Sequence, residues 1–103
     1  MNKLELRDGL VSFNYLDRIV HSIGTEDYTI YISEDLLSVS YFNEEYIIDL
    51  GCYSVKKEDV FIIRLIKSHN WDYPVYEKRL PDLNDIYSEV NKVVDYIYEL
   101  VSN

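Results

Sequence analysis

Cysteine is almost missing from the chain: Cys52 is the only one in 103 residues, which excludes an intrachain disulfide framework and a thiolate cluster for zinc. Only two histidines are present, His21 and His69. That is too few for a His-rich metal site, so neither a metal nor another cofactor is expected. Three glycines and two prolines leave no phosphate-cradling glycine loop, no flexible linker and no low-complexity tract. No window approaches the roughly 20 consecutive apolar residues that span a bilayer. The opening MNKLELRDG also lacks the apolar run of a signal peptide. These shortages together point to a cytoplasmic protein with no membrane association.

Positive charge is scarce as well. Ten Lys and Arg stand against nineteen Asp and Glu, a formal charge of -9. Such a balance repels phosphate backbones and anionic lipid and attracts basic surfaces. Direct nucleic-acid binding is therefore disfavoured, and a basic protein partner is favoured. The plainer alternative is that the charge serves solubility alone. What the chain does have is bulk for a core: apolar residues make up 48% and aromatics 15%, far from the composition of a disordered chain. Residues 1–103 fit a single domain.

The apolar positions Leu10, Phe13, Leu16, Ile19, Val20 and Ile23 recur at three and four residues, which predicts a first helix ending at Gly24. Asp8 or Ser12 would cap it; with Ser12, Val11 and Leu16 would form a hydrophobic staple. From Tyr28 the pattern becomes short runs rich in Ile, Val, Tyr and Thr, which predict strands over 28–32, 36–42, 45–50 and 60–67. The last of these is apolar almost throughout and belongs in the sheet interior. A fifth run, YPVYEKRL, contains Pro74, which cannot donate to a ladder, and so reads as an edge strand. At the end of the chain Leu83, Ile86, Tyr87, Val90, Val93, Val94, Ile97 and Val101 keep helical spacing after Pro81. Asp82 is a plausible cap, and Asn84, Asp85, Glu89, Lys92, Asp95 and Glu99 form the polar face. The expected fold is α+β: an antiparallel sheet of about five strands packed with an N-terminal and a C-terminal helix.

Acid doublets precede the predicted strands at Glu26-Asp27, Glu34-Asp35, Glu44-Glu45 and Glu58-Asp59. In an antiparallel meander, successive connections alternate between the two ends of the sheet. One end then collects Glu26, Asp27, Glu44, Glu45 and the HNWD loop with Asp72. The other collects Glu34, Asp35, Glu58, Asp59 and Asp82, but also Lys56, Lys57 and Arg79. The first end is the less neutralised, and helix carboxyl ends directed at it would add partial negative charge. The connection GCYSVKKED decides the matter, because an extra strand over CYSV would move the HNWD loop to the opposite end.

The stretch HNWDYP, 69–74, places imidazole, indole, carboxylate and phenol together. Catalysis would need a nucleophile or a base held by an orienting partner, and His69 with Asp72 supplies only part of that set. No other motif completes it, so an enzyme is not expected. A turn before an edge strand, with Trp71 folded onto the core, accounts for the stretch structurally. As a recognition element, Trp71 and Tyr73 would provide rigid contact area and Asp72 would meet a partner arginine. Cys52 reads as a small buried hydrophobe. His21 reads as a complement to the helix dipole. Most of the eleven tyrosines read as strand residues with a wet hydroxyl.

From Val60 onward, VFIIRLIKSHNWDYPVYEKRLPDLNDIYSEVNKVVDYIYEL resembles the immunity proteins of bacterial contact-dependent growth inhibition and related polymorphic toxin systems. The likeness lies in an apolar strand, a turn with Trp71, Asp72 and Pro74, a polar strand and an amphipathic helix, and it covers less than half of the chain. The resemblance implies a cytoplasmic inhibitor that neutralises a cognate toxin domain, often a basic ribonuclease or deoxyribonuclease, by blocking its active site or substrate groove. The partner-binding residues expected from charge and topology are Glu26, Asp27, Glu44, Glu45, Trp71, Asp72 and Tyr73. The competing expectation is an acidic adaptor, or a nucleic-acid mimic, that acts on a non-toxin protein.

Overall fold

Successive hairpins build the sheet, each strand pairing with the one before it in the chain. The computed structural model describes residues 3–22, 35–55 and 58–102. Among them the elements run β1 (Leu10–Asn14), α1 (Leu16–Ser22), β2 (Asp35–Tyr41), β3 (Tyr46–Val55), β4 (Glu58–Lys67), β5 (Tyr76–Leu80) and α2 (Ile86–Ser102). The five strands form one antiparallel sheet in the order β1-β2-β3-β4-β5. The fold is α+β, as expected from the sequence.

Alternation along β2, β3 and β4 sets the core, because successive side chains point to opposite faces. Leu37 and Val39, then Ile48 and Leu50, then Phe61, Ile63 and Leu65 fall on the face covered by α2 and are all buried. The helix answers with Ile86, Tyr87, Val90, Val93, Val94 and Ile97. Burying each large aliphatic side chain contributes about 1.5–3 kcal/mol, so this helix-on-sheet layer dominates the fold. Cys52 lies within it, 6% exposed. The opposite face carries buried Ile47, Ile62 and Ile66 and a polar row in which Arg64 donates to Glu77 (2.7 Å) and to the Tyr53 hydroxyl (3.2 Å).

The predicted first helix is corrected. Residues 10–14 form a strand, at the edge of the sheet among the described residues, and the helix described spans Leu16–Ser22. LVSFN combines helical spacing with strand-forming Val and Phe, and ladder pairing with β2 prevails; Leu10 and Val11 are exposed rather than part of a buried stripe. Ser12 lies inside β1 where the register shifts between Val11 and Phe13, so neither the Ser12 cap nor the Val11–Leu16 staple forms. The Asn14 side chain instead accepts from the Leu16 N–H at 2.9 Å, which satisfies one of the free donors at the helix start. The predicted strand 28–32, Gly24 and the side chain of His21 lie outside the described residues.

The later elements keep their expected places, with three differences. β3 continues through CYSV to Val55, so CYSV forms no additional strand. α2 begins at Ile86, after a turn in which Asp82 accepts from the Asn84 N–H at 2.9 Å. Along α2, Val101 leaves the buried stripe at 46% exposed, whereas Glu89, expected on the polar face, is buried at 6%. Glu89 sits three residues after Ile86, on the flank of the stripe. It accepts from Lys78 of β5 at 2.9 Å and lies 3.6 Å from Lys92, which holds its carboxyl below the usual carboxylate range. β5 is an edge strand among the described residues, as Pro74 suggested.

Candidate partner-binding end

With β3 unbroken, the β2–β3 turn and the β4–β5 loop emerge at the same end of the sheet. They also touch. The Ser68 N–H donates to the Glu45 carbonyl at 2.8 Å and its hydroxyl donates to the Glu45 carboxylate at 3.1 Å. His69 Nε2 lies 3.8 Å from Glu44 Oε1. Glu44, Glu45, Trp71, Asp72 and Tyr73 are thus brought to one end, while Glu26 and Asp27 lie outside the described residues. The pairing of His69 with Asp72 that a catalytic arrangement would need is not formed; His69 faces Glu44.

Both connections turn in the left-handed region without glycine. Phe42, Asn43 and Glu44 have φ of 54°, 55° and 66°, and Ser68 and His69 have 53° and 58°. Each turn closes with an i to i+3 bond, from the Glu45 N–H to the Phe42 carbonyl (3.2 Å) and from the Asn70 N–H to the Lys67 carbonyl (3.0 Å). Left-handed turns match the twist of hairpin strands, which is why glycine or asparagine is usual there. For other L-residues the conformation costs about 1–2 kcal/mol each. Phe42 and Glu44 bear that cost, and the turn in return displays both side chains outward.

Of the apolar side chains exposed at this end, Trp71 and Tyr73 were expected as recognition residues, whereas Phe42, Val75, Leu10 and Val101 were not. Phe42 is 47% exposed, Trp71 49%, Tyr73 79% and Val75 40%. Leu10, at the start of β1 opposite Ser40, and Val101, in the last turn of α2, are exposed at the same end. Trp71 is neither folded away nor fully free. In sequence Leu10 and Val101 sit on helical periodicities and read as core; the one available signal was a hairpin turn, FNEE, that lacks glycine.

The remaining wall is α2 with residues 3–9. Arg7 has φ 51°; its guanidinium lies 4.3 Å from the Tyr98 ring centre and pairs with Asp95 at 2.7 Å. The Tyr98 ring meets Tyr41 and Phe42 edge-on, and its buried hydroxyl finds no hydrogen-bond partner among the described residues. Tyr41 donates to the Leu6 carbonyl at 2.8 Å, and burial, with Tyr98 adding to it, pushes its hydroxyl pKa up. Gly9 permits this approach, since a Cβ there would come within 2.5 Å of Val39 Cγ1 and 2.6 Å of the Tyr41 ring.

The charge at this end is uncompensated in an identifiable way. Among the described residues, Glu44, Glu45, Asp72 and Glu99 have no lysine or arginine partner. The last turn of α2 carries no basic residue to offset the partial negative charge of its carbonyls. Lys67 is drawn to the Tyr46 ring, 5.7 Å from its centre. Among the described residues no group of His, Cys, Asp and Glu is placed to hold a metal, and no helix is long and apolar enough to cross a membrane. What the arrangement offers chemically is a surface for recognition: carboxylates and helix carbonyls for cations, interspersed with aromatic and aliphatic contact area. No protein-family model, curated protein or solved structure matches the chain.

Proposed function

We propose that this chain is an inhibitor that docks the end bearing Glu44, Glu45, Trp71, Asp72 and Tyr73 onto a basic protein domain, as an immunity protein docks onto a nuclease toxin. The observation that carries this reading is the coincidence, at one end, of carboxylates that have no lysine or arginine partner among the described residues with half-exposed Phe42 and Trp71 and exposed Tyr73. Carboxylates held in strained, glycine-free turns would stand where substrate phosphates lie in a nuclease groove and occlude it. Long-range attraction from a chain of net charge -9 would speed encounter, while the aromatic side chains, desolvated on contact, would set residence time. The chain acts as a cytoplasmic binding protein, not an enzyme, in this scheme.

The test is titration of a nuclease domain encoded by a neighbouring gene. Activity that falls linearly to zero at a one-to-one ratio supports inhibition. Undiminished nuclease activity with excess chain counts against it.

A further inference from the structure

Residues 3–9 run along α2, and their ties to the rest of the chain are of two kinds. From Lys3 to Leu6 the ties are to backbone and core. The Glu5 N–H donates to Asn91 Oδ1 at 2.8 Å, Asn91 Nδ2 donates to the Lys3 carbonyl at 2.9 Å, and the Tyr41 hydroxyl holds the Leu6 carbonyl; Leu4 and Leu6 pack half-buried against the core. Arg7 is held differently. It stands at the second position of a turn closed by the Gly9 N–H on the Leu6 carbonyl (3.0 Å), with φ 51°, where glycine, asparagine or aspartate is usual. Its guanidinium reaches Asp95 at 2.7 Å and lies over the Tyr98 ring, but the two side chains of this ion pair are 47% and 62% exposed, so water and salt weaken their attraction.

A hollow of about 610 Å³ adjoins this guanidinium, lined by Arg7, Asp95, Tyr98, Glu99 and Ser102. Two carboxylates line it against one guanidinium, and Glu99 has no lysine or arginine partner among the described residues. The carbonyls that end α2 add partial negative charge. The Tyr98 ring also meets Phe42, 5.5 Å between centres, which joins the hollow to the docking end.

We propose that Arg7 is a built-in stand-in for an arginine of the basic partner. The partner's guanidinium enters the hollow beside Glu99 and takes over Asp95 and the Tyr98 ring, and Arg7 swings out. This rests on the docking reading above and specifies arginine, not lysine, as the partner's contact here. The fold itself shows what the seat accepts: a planar guanidinium lies on a ring face and bonds a carboxylate, an arrangement that suits Arg better than the compact ammonium of Lys. Exchange is favoured because the incoming arginine repeats both contacts, gains Glu99 and frees Arg7 from the left-handed region. Lys3 to Leu6 keep their own ties, so only the turn at Arg7 and Asp8 has to move.

The probe is the peptide acetyl-Gly-Arg-Gly-Arg-Gly-amide, with lysine in both arginine places as comparator, titrated into the full chain and followed by NMR. The Arg peptide is expected to bind more tightly than the Lys peptide and to show side-chain contacts to the Tyr98 ring. At saturation the contacts of Arg7 with that ring should disappear and exchange of the Gly9 N–H should quicken, while that of the Glu5 N–H stays as it was. Arg7→Gly, which suits φ 51°, removes the competitor and should tighten binding of the Arg peptide about fivefold. Equal affinity of the two peptides, an Arg7 that stays on Tyr98 at saturation, no gain from Arg7→Gly, or no binding of either peptide at millimolar concentration overturns the stand-in. So does loss of the folded state in Arg7→Gly, because Arg7 would then be a lock of the fold. Should the stand-in fail while Glu44→Lys and Glu45→Lys still weaken inhibition of the nuclease, the docking reading stands without it; if those substitutions are also silent, both fall.

Discussion

The two ends of the sheet are built in opposite ways from similar residues. At the end where α1 and α2 begin, polar side chains complete local hydrogen bonds: Asn14 serves the Leu16 N–H, Asp82 the Asn84 N–H, and the Tyr87 hydroxyl donates to Asp17 at 2.6 Å. At the other end, among the described residues Glu44, Glu45, Asp72 and Glu99 have no lysine or arginine partner, although Arg7 pairs with Asp95 there, and bulky residues turn in the left-handed region. Leu10, Phe42, Trp71, Tyr73, Val75 and Val101 are exposed there, and the buried Tyr98 hydroxyl has no partner among the described residues. Every non-glycine residue with positive φ among the described residues lies at this second end. Strain and exposure thus cluster at one end, the pattern that motivates a functional hypothesis for it. The contrast is between an end closed by its own hydrogen bonds and an end left strained and exposed, which is the end the docking proposal uses.

The largest effect should come from the support both ends share. Ile63→Ala removes a fully buried side chain and should cost about 2–5 kcal/mol by denaturant titration, lowering both ends together. If only the strained end loosened, as read by amide exchange, the two would not share one core.

Alkaline titration should come next. Burial, reinforced by the bond to Asp17, pushes the Tyr87 hydroxyl up to about 12, and Tyr41 is raised in the same direction. Both groups stay protonated in the fold after the unfolded chain has lost those protons near pH 10. Their stabilisation is therefore complete below pH 10 and is lost as pH rises toward 12. Melting temperature should fall over that window, and Tyr87→Phe should make the fall shallower; an unchanged slope would contradict the assignment.

Gly9→Ala would press a methyl group into Val39 and Tyr41 and should cost about 1–3 kcal/mol. Fast amide exchange should appear first in residues 3–9 and around Tyr98. Smaller and opposite in sign, Glu44→Gly should relieve a left-handed residue with φ 66° and stabilise the fold by up to about 1 kcal/mol. The same change removes a carboxylate from the contact end, so inhibition of the nuclease should weaken as thermal stability rises. That divergence separates a functional turn from a structural one.

Much of this layout was legible in the sequence, and the failures have physical causes. The alternation in 36–42, the apolar run 60–67 and the stripe from Leu83 to Ile97 each have one period and one solution, and each gave the expected element. LVSFN did not, because Leu10 and Phe13 fit a helix while Val11 and Phe13 suit a strand, and only pairing with β2 decides between them. Convergence of Glu44 and Glu45 with the HNWD loop followed from counting hairpins, and the unbroken β3 preserved it. Trp71 and Tyr73 were named from the sequence, but exposed Leu10, Phe42, Val75 and Val101 were hidden because an apolar residue in sequence carries no mark of which way it faces. The turn strain was half visible in FNEE, where glycine would be usual.

The most direct measurement is the association rate with the nuclease domain at low ionic strength, comparing Glu44→Lys combined with Glu45→Lys at one end against Asp82→Lys combined with Asp85→Lys near the start of α2, so that both variants change the net charge equally. The account predicts about a tenfold slowing for the first pair and a weaker salt dependence, with little effect from the second. Equal slowing by the two variants would mean that the charge acts as a diffuse whole, and would contradict a dedicated docking end.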